Sequence, residues 1–159
     1  MEKNKNHNNE LALRGEGMIF EKLKELGLKP EWLSFDKRNS FADIVVTKKD
    51  GIHITIDVKT AYKHIGRQKD PIYCFNTYHH NIKQTGIDFY ICICMDDNLC
   101  YVFPQKLISG KNVIISDRQI KHGRYSWFLE NWKLIEDNNK DVQFRQPSIV
   151  PNSSCVRKP

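Results

Sequence analysis

Phe41–Tyr62 reads FADIVVTKKDGIHITIDVKTAY, two alternating runs rich in Ile, Val and Thr on either side of Lys49-Asp50-Gly51. That pattern is a β-hairpin, and its turn sets the register. A two-residue loop at Asp50-Gly51 would place Lys49 opposite Ile52 and Asp43 opposite Val58. Asp43 and Asp57 would then lie on different faces, because side chains alternate along a strand. A three-residue loop with Gly51 in the left-handed conformation places Lys48 opposite Ile52 and Asp43 opposite Asp57. In that register Asp43, Val45, Thr47, His53, Thr55, Asp57 and Lys59 share one face, and Ile44, Val46, Ile52, Ile54, Ile56 and Val58 share the other. This second register is expected, because it makes one face apolar and gathers two carboxylates and an amine on the other.

Two acids and a lysine in this arrangement suit phosphodiester hydrolysis. The reaction needs charge neutralised on the phosphate and a strong nucleophile made from water, and divalent ions do both. Mg²⁺ takes oxygen ligands and keeps several waters, so a few carboxylates are enough. Asp57 and Lys59, at i and i+2, project from the same side of one strand. The carboxylate would hold the ion, the carbonyl of Val58 would add a ligand, and the ammonium would orient water or steady the phosphate. An Asp-x-Lys is ordinarily a solvated charge pair. Here it ends the otherwise apolar run HITIDVKTA, where charges are costly unless paired or bound to a metal.

ADIVV at 42–46 followed by IDVK at 56–59 resembles the PD-(D/E)xK nuclease superfamily, with Asp43, Asp57 and Lys59 at its motif positions and Ala42 where the proline would stand. The resemblance implies that Glu16, in RGEG, completes the site, with Glu21 as the alternative. DFYICICMDDNLCYVFP at 88–104 and FLENWKLI at 128–135 are similar to the group I intron-associated homing branch of that superfamily. The implied fold is α/β with a restriction-endonuclease-like core, a central mixed β-sheet flanked by helices, and a β-ribbon or loop insertions for DNA contact. The implied activity is Mg²⁺-dependent, site-specific cleavage of double-stranded DNA, with Mn²⁺ able to substitute. A small type II restriction enzyme or a Holliday-junction resolvase would share the catalytic residues. A DNA-binding module with a dead nuclease core is the non-enzymatic alternative. One chain is too small to read a long target, so a homodimer or homotetramer is expected.

The whole chain of 159 residues has the size of one domain. It contains no apolar run near membrane-spanning length, and its first ten residues, MEKNKNHNNE, are polar rather than signal-like. Its five cysteines form no disulfide framework or CxxC zinc pattern, so a cytoplasmic setting with reduced thiols is expected. The net charge is +6, and residues 61–125 hold most of the excess, nine Lys/Arg against five Asp/Glu. A polyanion would be gripped there.

Residues 1–8 are expected to be disordered, 9–136 to form the nuclease domain, and 137–159 to be a flexible tail. Asn9 would cap a helix ending near Leu26-Gly27. Gly15 and Gly17 bracket Glu16, which suggests close packing or close phosphate approach. Trp32, Leu33 and Phe35 suggest a short strand. The stretch 60–78 suggests a β-ribbon turning near Gly66–Pro71 with Lys63, Arg67, Gln68, Lys69 and Asn76 for DNA contact. His79 and His80, further DNA-contact candidates, fall in a short polar segment, 78–84, read as a helical turn. Arg118, Lys121, His122 and Arg124 form a second DNA-contact loop. Strands are expected at 88–95, 99–103 and 112–116, and a helix at 125–135 with Trp132 packed in the core.

Overall fold

A computed structural model describes residues 2–33, 42–66, 69–79, 82–83, 85–120 and 122–137; for 2–8, 79 and 82–83 it describes the backbone alone. The expectations for residues 1 and 138–159, and for Phe35, Arg67, Gln68, His80 and Lys121, lie outside the described residues.

Helix α1 spans Glu2–Glu25. Strands β1 (Pro30–Trp32), β2 (Ile44–Thr47) and β3 (His53–Ala61) follow, then β4 (His64–Ile65), β5 (Pro71–Asn76), β6 (Tyr78–His79) and β7 (Ile82–Lys83). After them come β8 (Phe89–Cys94), β9 (Leu99–Pro104), β10 (Asn112–Ser116) and the short helix α2 (Lys133–Glu136). The central sheet has the order β1-β2-β3-β8-β9. Only its β3–β8 pair is parallel, which makes the sheet mixed.

The hairpin takes the expected register. Ile44 faces Ile56, Val46 faces Ile54 and Thr47 faces His53. The Lys48 N–H donates to the Ile52 carbonyl at 2.9 Å, and Gly51 closes the loop at φ +81°. Ile44, Val46, Ile54 and Ile56 are fully buried on one face. Helix α1 covers that face: Gly15, Ile19 and Leu23 repeat every four residues, and Ile19 and Leu23 are buried. Gly27, at φ +75°, ends the helix. Its N–H donates to the Lys24 carbonyl while that of Leu28 reaches the Leu23 carbonyl, a Schellman closure.

The other face carries Asp57 and Lys59, and next to them on β8 and β9 Tyr90, Cys92, Tyr101 and Phe103. A second sheet, order β10-β5-β4, lies over it. The Tyr90 hydroxyl donates to the Thr77 carbonyl just past β5, and that of Tyr101 to the Ile120 carbonyl beyond β10. Tyr73, Phe75, Val113 and Ile115 fill the interior between the sheets. The fold is therefore α/β with a central mixed sheet.

Three local expectations are corrected. Helix α1 begins at Glu2, so Asn9 lies inside it rather than capping it. No Gly or Pro interrupts 2–14, and extending a helix already anchored by packing costs little per residue. Tyr78–His79 and Ile82–Lys83 pair as antiparallel strands, Tyr78 opposite Lys83 and His79 opposite Ile82, rather than forming a helical turn. The Asn76 side chain accepts the Tyr78 N–H at 3.0 Å and turns the chain into β6.

The helix expected over 125–135 is broken into a 3₁₀ turn at Ser126–Phe128 and α2. Leu129 bridges to Tyr101, and Glu130, at φ +50°, donates its N–H to the Cys100 carbonyl and accepts the Cys100 N–H on its carboxylate. The edge of β9 thus captures the residues that would have continued the helix. Trp132 is packed as expected, whereas Trp127 is about half exposed, 48%.

Candidate active site

β2 and β3 part at Asp43. The Asp43 N–H donates to the Ile56 carbonyl, and its Oδ2 accepts the N–H of Val58 at 2.8 Å. In a strand, one residue's N–H and C=O project to the same side. The Val58 carbonyl is therefore aimed toward Asp43.

Asp57 is 1% exposed. The Lys59 ammonium forms an ion pair with its Oδ2 at 2.7 Å, and that oxygen has no other polar partner among the described residues. Burial pushes the Asp57 carboxyl up to about 8; the Lys59 charge opposes this and the Asp43 charge adds to it. Burial also raises the Glu16 carboxyl above its usual value, with Asp43 adding and Lys59 opposing. Glu16 thus feels both side chains from α1, although among the described residues no three His, Cys, Asp or Glu converge into a metal cage. Glu21, the alternative, pairs with Lys24 at 2.8 Å on the outer side of the helix, about two-thirds exposed.

These oxygens fit a hard divalent cation. Such an ion takes carboxylate and backbone carbonyl oxygens and completes its shell with water. A buried carboxylate with one ammonium beside it and a second carboxylate nearby is costly as it stands, and a divalent cation would offset that charge.

Sequence reasoning passed over Tyr90. It lies beside Asp57 in the β3–β8 register. Burial first, and then the Asp57 charge, hold its phenol above the ordinary value, so it stays a donor to Thr77. The run DFYICICM is apolar throughout and offered no reason to single out one tyrosine.

The DNA-contact candidates divide. Lys63 is not free for phosphate: its Nζ lies 2.9 Å from both Asp97 and Asp117, and its backbone N–H donates to Asp96. Asp97 also accepts the Tyr73 hydroxyl at 2.9 Å. The Asp96-Asp97 turn is therefore the anchor of a brace among β3, the β8–β9 turn and the end of β10. The expected ribbon exists as β4 and β5, with Ile65 opposite Pro71. Lys69, at φ +61° in its turn, and Asn76 are exposed. His79 lies in β6. Arg118 is 81% exposed and pairs with Asp70 at 3.1 Å. His122 is exposed, and the Arg124 guanidinium lies over the Tyr125 ring, 4.4 Å from its centroid.

No protein-family model and no curated protein sequence matches the chain. Its fold is similar to that of a bacterial homing endonuclease. That solved structure, I-Ssp6803I, aligns with a TM-score of 0.61 over 80% of this chain and 91% of the other. At 19% identity the likeness speaks for the fold. Among the described residues no helix is long and apolar enough to cross a membrane.

Proposed function

We propose that this chain is a Mg²⁺-dependent, site-specific double-stranded DNA endonuclease of PD-(D/E)xK type, of the intron-associated homing kind. The observation that carries the reading is the buried Asp57, ion-paired with Lys59 at 2.7 Å, next to Asp43, whose carboxylate accepts the N–H of Val58. The homing-endonuclease fold and the basic segment 61–125 support it.

Asp43, Asp57 and the Val58 carbonyl would hold the ion, and Glu16 would complete its surroundings from α1. A bound divalent cation supplies charge neutralisation at the phosphate and an activated water. Lys59 sits where its ammonium orients that water or steadies the charge developing on the phosphate. Asp43 has a second task, since its bond to Val58 N–H fixes the strand that presents Asp57 and Lys59. Tyr90 lies beside Asp57 on the neighbouring strand and is buried with it. Arg124, Lys69 and Asn76 offer the side-chain types that meet phosphates and base edges. Cutting both strands calls for two such sites, which a symmetric homodimer or homotetramer provides.

The test is incubation with a pooled library of random duplexes and Mg²⁺, followed by sequencing of the cut ends. A single recurring long target supports the homing reading. A short palindrome indicates a restriction enzyme, and preference for four-way junctions a resolvase. Duplex binding without any cutting would remove the enzymatic reading.

A further inference from the structure

Glycine is, after proline, the poorest residue for a helix interior, yet Gly15 sits in the middle of α1 with no turn to require it. A Cβ placed on Gly15 would lie 1.9 Å from Cγ2 of Thr60 on β3 and 3.2 Å from Cδ1 of Ile93 on β8. The first distance is impossible and the second is tight. Thr60 is a poor candidate for yielding, because its Oγ1 donates to the Leu11 carbonyl of the same helix, at 3.5 Å. Turning its methyl aside would disturb that contact. Gly17 shows the contrast, with nothing within 4 Å of where its Cβ would stand. Of these two glycines only Gly15 marks a close approach of helix to strand, and the next residue along is Glu16.

We propose that Gly15 is a positioning residue. Lacking a side chain, it lets α1 settle onto Thr60 and Ile93, and this depth holds Glu16 at the Asp43–Lys59 end of the site. The inference rests on the reading of Glu16 as part of the metal site, and it assigns to Gly15 the distance at which Glu16 works. An alanine would lift the helix by the thickness of a methyl group and carry Glu16 away. A misplacement of about 1 Å in a catalytic constellation costs on the order of a hundredfold in rate.

The experiment compares Gly15→Ala, Glu16→Gln, the two combined, and Gly15→Ala/Thr60→Ser. The last moves the obstructing methyl from strand to helix while keeping the hydroxyl. Crystal structures, calorimetric Mn²⁺ binding and single-turnover DNA cutting are the readouts. In Gly15→Ala, α1 is expected to stand off β3 and Glu16 to shift. Mn²⁺ affinity falls as far as in Glu16→Gln, cutting falls about a hundredfold, and DNA affinity is unchanged. In the Glu16→Gln background Gly15→Ala costs nothing further, the signature of two residues acting as one. Gly15→Ala/Thr60→Ser recovers the wild-type rate and metal affinity.

An unmoved α1 in Gly15→Ala, or a full additional loss in the Glu16→Gln background, overturns the proposal. If Gly15→Ala does not fold, Gly15→Ala/Thr60→Ser decides: wild-type metal affinity upholds the proposal and a persisting loss overturns it. A wild-type protein that cuts no DNA would refute the endonuclease reading, while the crystal structures and Mn²⁺ binding still judge Gly15.

Discussion

The N–H of Val58 donates to the carboxylate of Asp43 at 2.8 Å, where a continuing β2 would have placed a backbone carbonyl. One acid thus ends a strand pair and fixes the neighbouring strand at the residue between Asp57 and Lys59. The site is a place where the central sheet is opened by one of its own functional groups. Its geometry depends on the hairpin register, and that register depends on the turn.

The turn should be sensitive at Gly51. Its φ of +81° is open to glycine and strained for other residues. Gly51→Ala is expected to lower unfolding stability by about 1 kcal/mol. Urea denaturation checks this, as a fall in midpoint at unchanged slope. An unaltered midpoint would mean that the loop relaxes freely and does not set the register.

Asp57 makes stability depend on pH in the metal-free protein. Its folded-state value lies near 8 against an ordinary 3.8, so between those values the native state binds more protons than the unfolded chain. Stability is then fully present below about 3.8 and is lost as pH rises toward 8. Asp57→Asn should flatten this fall and be the more stable protein at pH 8, as buried functional charges are held against stability. Thermal midpoints from pH 5 to 8 in chelator provide the measurement. Equal slopes in the two proteins would show that Asp57 is not the titrating group.

Lys63 and Arg124 should differ in kind. Lys63 is held by Asp97 and Asp117, so Lys63→Ala is expected to lower the melting temperature and leave the salt dependence of DNA binding intact. Exposed Arg124 should do the reverse, Arg124→Ala reducing the slope of log affinity against log salt by about one. Fluorescence titrations over a salt series distinguish them. A flattened slope for Lys63→Ala would show that its ion pairs open on DNA.

The hairpin was legible because three independent signals agree there: a glycine that tolerates positive φ, strict alternation, and acids that fall on one face only in one register. The strands at 88–95, 99–103 and 112–116 were legible for a similar reason, since apolar runs bounded by Asp, Asn and Pro leave few alternatives. The stretch 125–135 was not. Its aromatic spacing favours a helix locally, but an edge strand about 30 residues earlier bridges to Leu129 and hydrogen-bonds Glu130, and that partner is invisible in a local pattern. The role of Lys63 was hidden likewise. A lysine beside an active-site strand looks like a phosphate contact until Asp97 and Asp117, from two other segments, arrive beside it. The closeness of Gly15 to Thr60 was only hinted at by the glycines around Glu16, because the contact that explains Gly15 spans 45 residues.

The central claim is that Asp57 and Lys59 do chemistry on DNA. The most direct measurement takes a duplex recovered from the random library and compares wild type, Asp57→Ala and Lys59→Ala. Cutting is followed in Mg²⁺, and affinity is measured in Ca²⁺. The prediction is that both variants bind as tightly as wild type and leave the duplex intact. Undiminished cutting by either variant would contradict the assignment.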